Sequence, residues 1–285
     1  MPMRKTDLHA KVREILRHTL PLPPEASSPM KHFEKNANSI LKMLEYIEGH
    51  FEESKSYQAV YDRHLGNLRR MALSGLVEAF ERFLKELAAV CVDSLARIVN
   101  DDRFDEFSIK GNQSVFHFSA GSIGKALCES DTWLSNRTTN ERFRRLLKEP
   151  FGKPWENLFP EENQPPEEHR ERARTLSILW QVRHTITHNV GVVTGSDAAK
   201  FKMLLKADVD SERMLRPSED DVLHAKRFLF ETAVSVNGRV GNRLAELSTK
   251  LHGDNPSLFD PRARADALST SLAYSVKVGD CQGAL

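Results

Sequence analysis

The chain has 285 residues, of which 40% are hydrophobic and 28% are charged, a composition typical of a folded globular protein. Its 41 basic and 40 acidic residues leave a net charge of +1, so the chain as a whole has no excess of positive charge that would attract nucleic acid. Any surface that binds nucleic acid must therefore be a local cluster of basic residues. The three cysteines, Cys91, Cys128 and Cys281, are too few and too widely spaced for a disulfide framework or a cysteine-based zinc site.

The N-terminal region has the pattern of a short helix followed by a linker. Residues 4 to 19 are amphipathic, and the proline-rich stretch LPLPPEASSP ends that pattern. The opening residues are charged throughout and lack the apolar segment of a signal peptide. No apolar run reaches the roughly 20 residues of a membrane helix. We therefore expect residues 1–29 to be an N-terminal helical extension, on a cytoplasmic protein with no membrane contact.

A long helical pattern follows, from residue 30 to about residue 101, with expected breaks near Gly49 and Gly66. Its strongest part carries an apolar stripe at steps of three, four or seven residues. The stripe consists of Leu68, Ala72, Leu76, Phe80, Phe83, Leu87, Cys91 and Ile98. This spacing predicts the central buried helix of the fold.

The next segment is less regular. Residues 104 to 120 predict an irregular stretch with a short strand in SVFHFS, and Ser119 is a candidate N-cap for a short helix. The glycines that follow, at 121 and 124, lack the spacing of a phosphate-binding loop.

The stretch TNERFRRLLKE predicts a helix with a basic surface that ends before Pro150. Its Arg142, Arg144 and Arg145 are candidate RNA-binding residues. A solvated helix face explains the same run of charges equally well.

The second half of the chain predicts two further long helices. A proline-rich connection comes first, and its Trp155 and Phe159 are candidates to pack against the core. A helix is expected from about Glu167 to Val190, then a loop with the sequence GVVTGSDAAKF. A closing helix should begin at Ser218, with Asp221 completing its cap, and end near residue 251.

These elements predict an all-α protein, since no segment has the pattern of a β-sheet core. The expected organisation is a single helical domain over residues 30–251 and a weakly patterned tail over residues 252–285.

The helix that contains ILWQVRHTITHNVGVV places an arginine within its own apolar arc. Arg183 falls in the middle of that arc, which consists of Leu179, Trp180, Val182, Ile186 and Val190. An arginine keeps its proton, so a buried one requires a partner. The pattern predicts a counter-charge on another helix, on another subunit or on a ligand.

Two histidines follow this arginine near the end of the helix. His184 and His188 are spaced i and i+4, and Gly191 has the character of a residue that ends a helix. Because the helix dipole favours positive charge here, we expect the histidine pKa values to lie near or above the usual value of about 6.5. A histidine of this kind can act as a general acid or base, and an arginine can bind a phosphate through two parallel hydrogen bonds. The combination suits phosphodiester cleavage without a metal.

The motif Arg183-His184-x-x-x-His188 resembles the R-x(4–6)-H motif of the HEPN superfamily (higher eukaryotes and prokaryotes nucleotide-binding). In that motif the residue after the arginine is usually Asn, Asp or His. The flanking LSILWQVRHTITHNVGVV and the earlier LVEAFERFLKEL are similar in kind, so the resemblance covers roughly residues 65 to 250. It implies a HEPN-like helical bundle that forms a homodimer in which the two motif helices meet across a two-fold axis.

The resemblance also implies a function. Many HEPN domains are metal-independent endoribonucleases without a cofactor, in toxin–antitoxin or phage-defence systems. RNA would then be the substrate, and a cognate antitoxin or a sensor protein would be a further partner. Arg183, His188 and His184 would form the catalytic site, with His184 as polar support. Glu81 and Asn189 are the candidates for further support.

Three other interpretations remain open. His184 and His188 could be two ligands of a metal, although no third ligand or H-E-x-x-H glutamate accompanies them. They could also be helix-end residues beside an arginine that is simply salt-bridged. Finally, the domain could be a non-catalytic HEPN-like scaffold that binds a partner, because some HEPN domains lack nuclease activity.

Overall fold

The computed structural model describes residues 28–52, 58–95, 102–104, 128, 132–149, 152–160 and 167–254, and these residues are predominantly α-helical. The elements are α1 (Pro29–Glu52), α2 (Gln58–Leu95), a 3₁₀ turn (Asp102–Phe104), α3 (Asn136–Leu146), α4 (Glu167–Asn189), β1 (Val192–Val193), α5 (Gly195–Leu205), β2 (Arg213–Met214) and α6 (Glu219–Asp254). The predicted all-α class is therefore confirmed. None of the described helices is long and apolar enough to cross a membrane.

Several predictions fall outside the described residues. They are the helix over residues 4–19, the strand in SVFHFS, the cap at Ser119, the glycines at 121 and 124, and the tail beyond Asp254.

Helix α2 is the centre of the fold and contacts α1, α3, α4 and α6. The predicted stripe is confirmed from Leu68 to Cys91. Its buried members are Ala72, Leu76, Phe80, Phe83, Leu87 and Cys91, and Leu68 is partly buried against them. Ile98, the last predicted member, lies outside the described residues. Phe33 of α1 packs on the rings of Phe80 and Phe83, with centroids 5.8 Å from each. Each buried aromatic or aliphatic side chain of this kind stabilises the fold by about 1.5–3 kcal/mol.

The expected break at Gly66 is wrong, because α2 continues through that residue from Gln58 to Leu95. A helical glycine costs about 1 kcal/mol relative to alanine, less than the burial of the stripe contributes. Gly49 also lies within a helix, and α1 ends three residues later at Glu52.

Helix α4 lies between two apolar clusters. On one side Leu176 and Trp180 belong to the main core, and Trp180 packs on Phe80 with ring centroids 5.9 Å apart. On the other side Ile178 and Val182 pack on a small cluster formed by Val193, Ala198 and Phe201. The helix therefore has apolar residues around much of its circumference, which explains why its arginine falls within an apolar arc.

The prediction of a loop after α4 is wrong. The sequence GVVTGSDAAKF instead forms β1, which pairs antiparallel with β2, and most of helix α5. Thr194 and Asp197 make a capping box, in which each side chain accepts a hydrogen bond from the backbone N–H of the other. This reciprocal cap starts α5 directly after the strand.

Gly191 ends α4 as predicted, and it is the second of two residues with positive φ there. Val190 already has φ +52°, and Gly191 follows with φ +84° and donates its N–H to the carbonyl of Thr185 at 3.0 Å. Gly191 is required for a second reason. A Cβ at this position would lie 2.6 Å from Cδ of the buried Arg70 of α2, which donates to the carbonyl of Leu215 at 2.7 Å.

The remaining elements follow the sequence patterns more closely. Helix α3 begins at Asn136, three residues before the predicted start, because Ser135 provides its N-cap. Phe159 is buried and exchanges two hydrogen bonds with the side chain of Asn140, and Trp155 packs on the core. Ser218 and Asp221 cap α6 as predicted.

Candidate active site

The motif arginine finds its counter-charge within the same chain, on α2. Arg183 Nη2 lies 3.1 Å from Glu78 Oε1, and the two side chains are 18% and 50% exposed. The Nε atom of Arg183 is buried and has no hydrogen-bond partner among the described residues. Because a half-exposed ion pair contributes only about 0–1 kcal/mol, a ligand phosphate could replace Glu78 at little cost.

The antiparallel packing of α4 on α2 produces this pairing. Trp180 meets Phe80. About two turns further along α4, the hydroxyl oxygen of Thr187 lies 3.4 Å from that of Ser74. Glu78 and Arg183 fall between these two contacts. Helix packing thus fixes which carboxylate faces the arginine.

Glu81, the acidic residue that we expected to support the site, makes other contacts. Its carboxylate accepts a hydrogen bond from the backbone N–H of Trp133 at 2.8 Å and pairs with Lys85 at 3.2 Å. Glu78, one turn earlier on α2, is the carboxylate that contacts Arg183. No local sequence signal distinguishes these two glutamates, because the choice depends on the register between two helices.

The two histidines are in contact with each other. Their ring centroids lie 4.7 Å apart and the ring planes are tilted by 44°; His188 is exposed and His184 is half-buried. Burial lowers the pKa of His184 below its ordinary value. The neighbouring His188 and Lys200 lower this pKa further, and together these effects outweigh the opposing influence of Asp197. The pKa expected from the helix dipole is therefore wrong for His184, which is neutral at pH 7 and able to accept a proton.

Asp197 is a buried carboxylate beside the site that sequence reasoning missed. It accepts hydrogen bonds from Gln181 at 2.8 Å, from Asn189 at 2.7 Å and from the backbone and hydroxyl of Thr194. Burial raises the pKa of Asp197, but the hydrogen bonds from Thr194 and Asn189 and the charge of His184 hold it below its ordinary value. The spacing T-x-x-D after the glycine was the signal that could have revealed it.

Asn189 therefore has a structural contact that explains its position. Its side-chain amide ties the last residue of α4 to Asp197 at the start of α5. This contact fixes the direction in which the final turn, with His188, leaves the bundle. Asn189 follows His188 directly in the chain and holds the helix end in place through Asp197.

A groove of about 1210 Å³ runs along α4 and reaches Arg183 and His184. The start of α3 and residues 159–160 form one wall, α5 forms the other, and α4 forms the floor. Its cationic lining consists of Arg137, Arg170, Arg174, Arg183, Lys200 and Lys206, against two glutamates, Glu167 and Glu171. Sequence reasoning missed this surface because its charges come from three separate helices.

The arginines that we proposed as RNA contacts lie outside this groove. Arg142 stacks over the ring of Trp133 at 4.5 Å and donates to the carbonyl of Thr132. Arg144 donates through Nε to the carbonyl of Trp155 at 3.2 Å. Arg145 lies half-buried on the same helix. For Arg142 and Arg144, these contacts within the chain account for their positions, and RNA binding at this helix stays a prediction.

Within the ranges that the structure describes, no group of three histidine, cysteine, aspartate or glutamate side chains is arranged to hold a metal ion. Among the described residues, the charged or titratable groups that influence His184 are those of His188, Lys200, Asp197 and Arg183.

Replacement of Asp197 by alanine should lower the free energy of unfolding by about 2–4 kcal/mol, because it leaves buried donors unpaired and removes the cap of α5. Since the folded-state pKa of Asp197 is lowered, its stabilising effect is present above the unfolded value of about 3.9 and is lost as the pH falls through the folded value. Urea unfolding at pH 7 and pH 3 measures both effects.

The exposed Asp208, which pairs with Lys202, is the matched control for this change. Asp208→Ala should alter stability by no more than about 0.5 kcal/mol. Equal effects of the two substitutions at pH 7 would contradict the role assigned to Asp197.

Comparison of the chain with protein-family models, with curated proteins and with solved structures gives no match.

Proposed function

We propose that this chain is a metal-independent endoribonuclease of HEPN type, acting as a toxin or phage-defence effector through a composite Arg/His site at a homodimer interface. The observation that carries the proposal is the position of Arg183. It lies beside two histidines in mutual contact at the end of a cation-lined groove, and one replaceable carboxylate neutralises it. An arginine in this setting is suited to bind a phosphate through two parallel hydrogen bonds.

The proposed reaction is an internal transesterification of RNA. The 2′-oxygen attacks the adjacent phosphorus, the bond from phosphorus to the 5′-oxygen breaks, and a neutral imidazole takes the 2′-hydroxyl proton. An imidazolium gives a proton to the leaving 5′-oxygen, so the products are a 2′,3′-cyclic phosphate and a 5′-hydroxyl. Arg183 stabilises the negative charge that develops on the phosphate oxygens. The exposed His188 transfers protons, with its copy in the second subunit, and the half-buried His184 supports it.

Exposed residues around the end of α4 support the homodimer. Thr187, His188 and Val190 are exposed there. Met214, whose sulfur lies close to Gly191, is 44% exposed, and Met71, next to Arg70 on α2, is 69% exposed. Exposed apolar side chains around a polar site are typical of a protein interface. Light scattering should therefore give the mass of two chains, and a monomer at micromolar concentration would contradict a composite site.

The test of the proposed function is cleavage of RNA by the purified full-length chain in the presence of EDTA, with the ends of the products identified. We expect cleavage to survive EDTA, to weaken at high salt, and to leave 2′,3′-cyclic phosphate ends. The control is the His188→Ala chain purified in the same way. Cleavage that needs an added divalent metal contradicts the proposal. A folded dimer without cleavage favours the alternative, a HEPN-like scaffold that binds a protein partner.

The dependence of the cleavage rate on pH should be bell-shaped, because one imidazole must be neutral and another protonated. His184 contacts His188, so protonation of His184 would add a positive charge beside the proton-transferring ring and contribute to the acid limb of the profile. Because the pKa of His184 is lowered, this contribution should lie below pH 6.5. Lys200→Gln removes one of the charges that lower this pKa, so the acid limb should move to higher pH.

Lys202, on the same helix and paired with Asp208, provides the control for the pH measurement. Lys202→Gln should leave the acid limb where it is in the wild-type chain. A rate that rises steadily toward high pH, or equal profiles for the two lysine variants, would contradict proton transfer at this histidine pair.

A further inference from the structure

The cationic lining of the groove contrasts with the near-neutral charge of the whole chain. The chain carries 41 basic and 40 acidic residues, whereas the groove is lined by six arginines and lysines and two glutamates. A local excess of positive charge of this size attracts a polyanion and makes its binding dependent on salt. The groove is thus electrostatically distinct from the rest of the protein.

The shape of the groove suits an extended ligand. Its volume of about 1210 Å³ exceeds the roughly 300–1,000 Å³ of small-molecule sites. Its floor follows α4 from Glu167 to His184, a length of about 25 Å at 1.5 Å per residue. Arg170, Arg174 and His184 lie on the same stripe of this helix, at spacings that return to one face. The two arginines therefore share one stripe of the helix with His184, and this stripe ends at the candidate active site.

Apolar side chains between these charges offer contacts for bases. Met203 of α5 lines the groove and is 79% exposed, and the partly buried Leu134 lines the opposite wall. Sites for single-stranded nucleic acid combine a positively charged groove with side chains, most often aromatic, against which the unpaired bases pack. Here Met203 and Leu134 would provide aliphatic contacts of this kind. The bases of a duplex are paired and stacked, so they could not use such apolar walls.

We infer that the groove along α4 binds a single-stranded RNA segment, on the order of four nucleotides or more, and directs it toward Arg183 and His184. The choice of RNA as the polyanion rests on the proposed function. The preference for a single strand rests on the charge, length and apolar walls of the groove. Lys200 and Arg137, exposed on opposite walls, would contact the phosphates from both sides.

The test measures binding separately from cleavage. The full chain with the His188→Ala substitution is titrated into a fluorescently labelled 12-nucleotide single-stranded RNA, and anisotropy gives Kd at several salt concentrations. In this background, Lys200→Gln combined with Arg137→Gln should raise Kd by about tenfold. Loss of two phosphate contacts should also reduce the slope of log K against log salt by about 1.4, since each contact contributes about 0.7.

Two exposed cations outside the groove provide the matched control. Lys202→Gln combined with Arg227→Gln removes the same charge from α5 and α6 and should change Kd less than about twofold. Equal weakening by the two double variants would overturn the groove as the binding site.

A second comparison tests the nature of the ligand. A 12-base-pair RNA duplex and a single-stranded DNA of the same sequence are titrated under the same conditions. Duplex binding as tight as that of the single-stranded RNA would overturn the inference. Tighter binding of single-stranded DNA than of RNA would overturn the choice of RNA. If the wild-type chain binds the RNA through the groove but does not cut it, the proposed nuclease fails and the groove assignment stands.

Discussion

Arg183→Ala should reduce the rate of RNA cleavage by about 10²–10³-fold, because it removes the cation that stabilises the phosphate charge in the transition state. His188→Ala should reduce the rate by about 10²–10⁴-fold through the loss of proton transfer. Neither change should alter the helical circular dichroism. Arg183 contributes one half-exposed ion pair to the fold, and His188 is exposed. Single-turnover cleavage of a labelled RNA by each purified variant measures these effects.

Glu78→Gln is the matched control for Arg183→Ala, because it breaks the same ion pair from the other side. If Arg183 were only a structural salt-bridge residue, the two substitutions would have equal effects. Under the proposed function, Glu78→Gln leaves Arg183 available to the phosphate, so cleavage should persist at or above the wild-type rate. Wild-type cleavage by His188→Ala protein, or equal losses in the Glu78 and Arg183 variants, would contradict the nuclease site.

Gly191→Ala should lower the free energy of unfolding by about 2–4 kcal/mol. Two separate effects add here. An alanine is strained at φ +84°, and its Cβ would lie 2.6 Å from Cδ of Arg70, where a real Cβ contact is essentially never found. Arg70 has little freedom to move, because it is buried and bonded to the Leu215 carbonyl and to Asn67. Urea unfolding followed by circular dichroism measures the change.

Gly195→Ala is the control for this substitution. Gly195 is the first residue of α5, is exposed, and has no atom within 4 Å of the position that a Cβ would take. Alanine there should leave stability unchanged or raise it by about 0.4–1 kcal/mol, because it reduces the freedom of the unfolded chain. If the two alanines had equal effects, the close approach of Arg70 to the end of α4 would not be part of the native fold.

Much of the fold follows from the sequence. The apolar stripe of α2, the limits of α4 and the cap of α6 are all encoded by residues within a few turns of one another. Hydrophobic spacing and capping chemistry act over such short distances, so they can be read without knowledge of the fold. The predictions at Gly66 and at GVVTGSDAAKF are wrong because other interactions outweigh the low helix propensity of glycine. Burial of the apolar stripe holds α2 through Gly66, and the capping box of Thr194 and Asp197 starts α5 at Gly195.

The sequence also identified the residues of the candidate site on α4, because Arg183, His184 and His188 are close together in the chain. What surrounds them was decided by the tertiary structure. Packing of α4 on α2 placed Glu78, rather than Glu81, opposite Arg183, and packing on α5 placed Asp197 and Lys200 beside His184. If α4 were shifted by one turn along α2 or α5, its side chains would contact different residues. No local sequence pattern predicts how two helices are aligned along each other.

The electrostatic character of the site likewise depends on the fold. The helix dipole, which the sequence reveals, favours a raised pKa for His184, whereas burial and neighbouring charges lower it. The groove collects its cations from α3, α4 and α5, so a chain with a net charge of +1 acquires a strongly basic surface. Charge and desolvation act through space, so they are fixed only when packing brings distant segments together, whereas spacing and capping act along the chain.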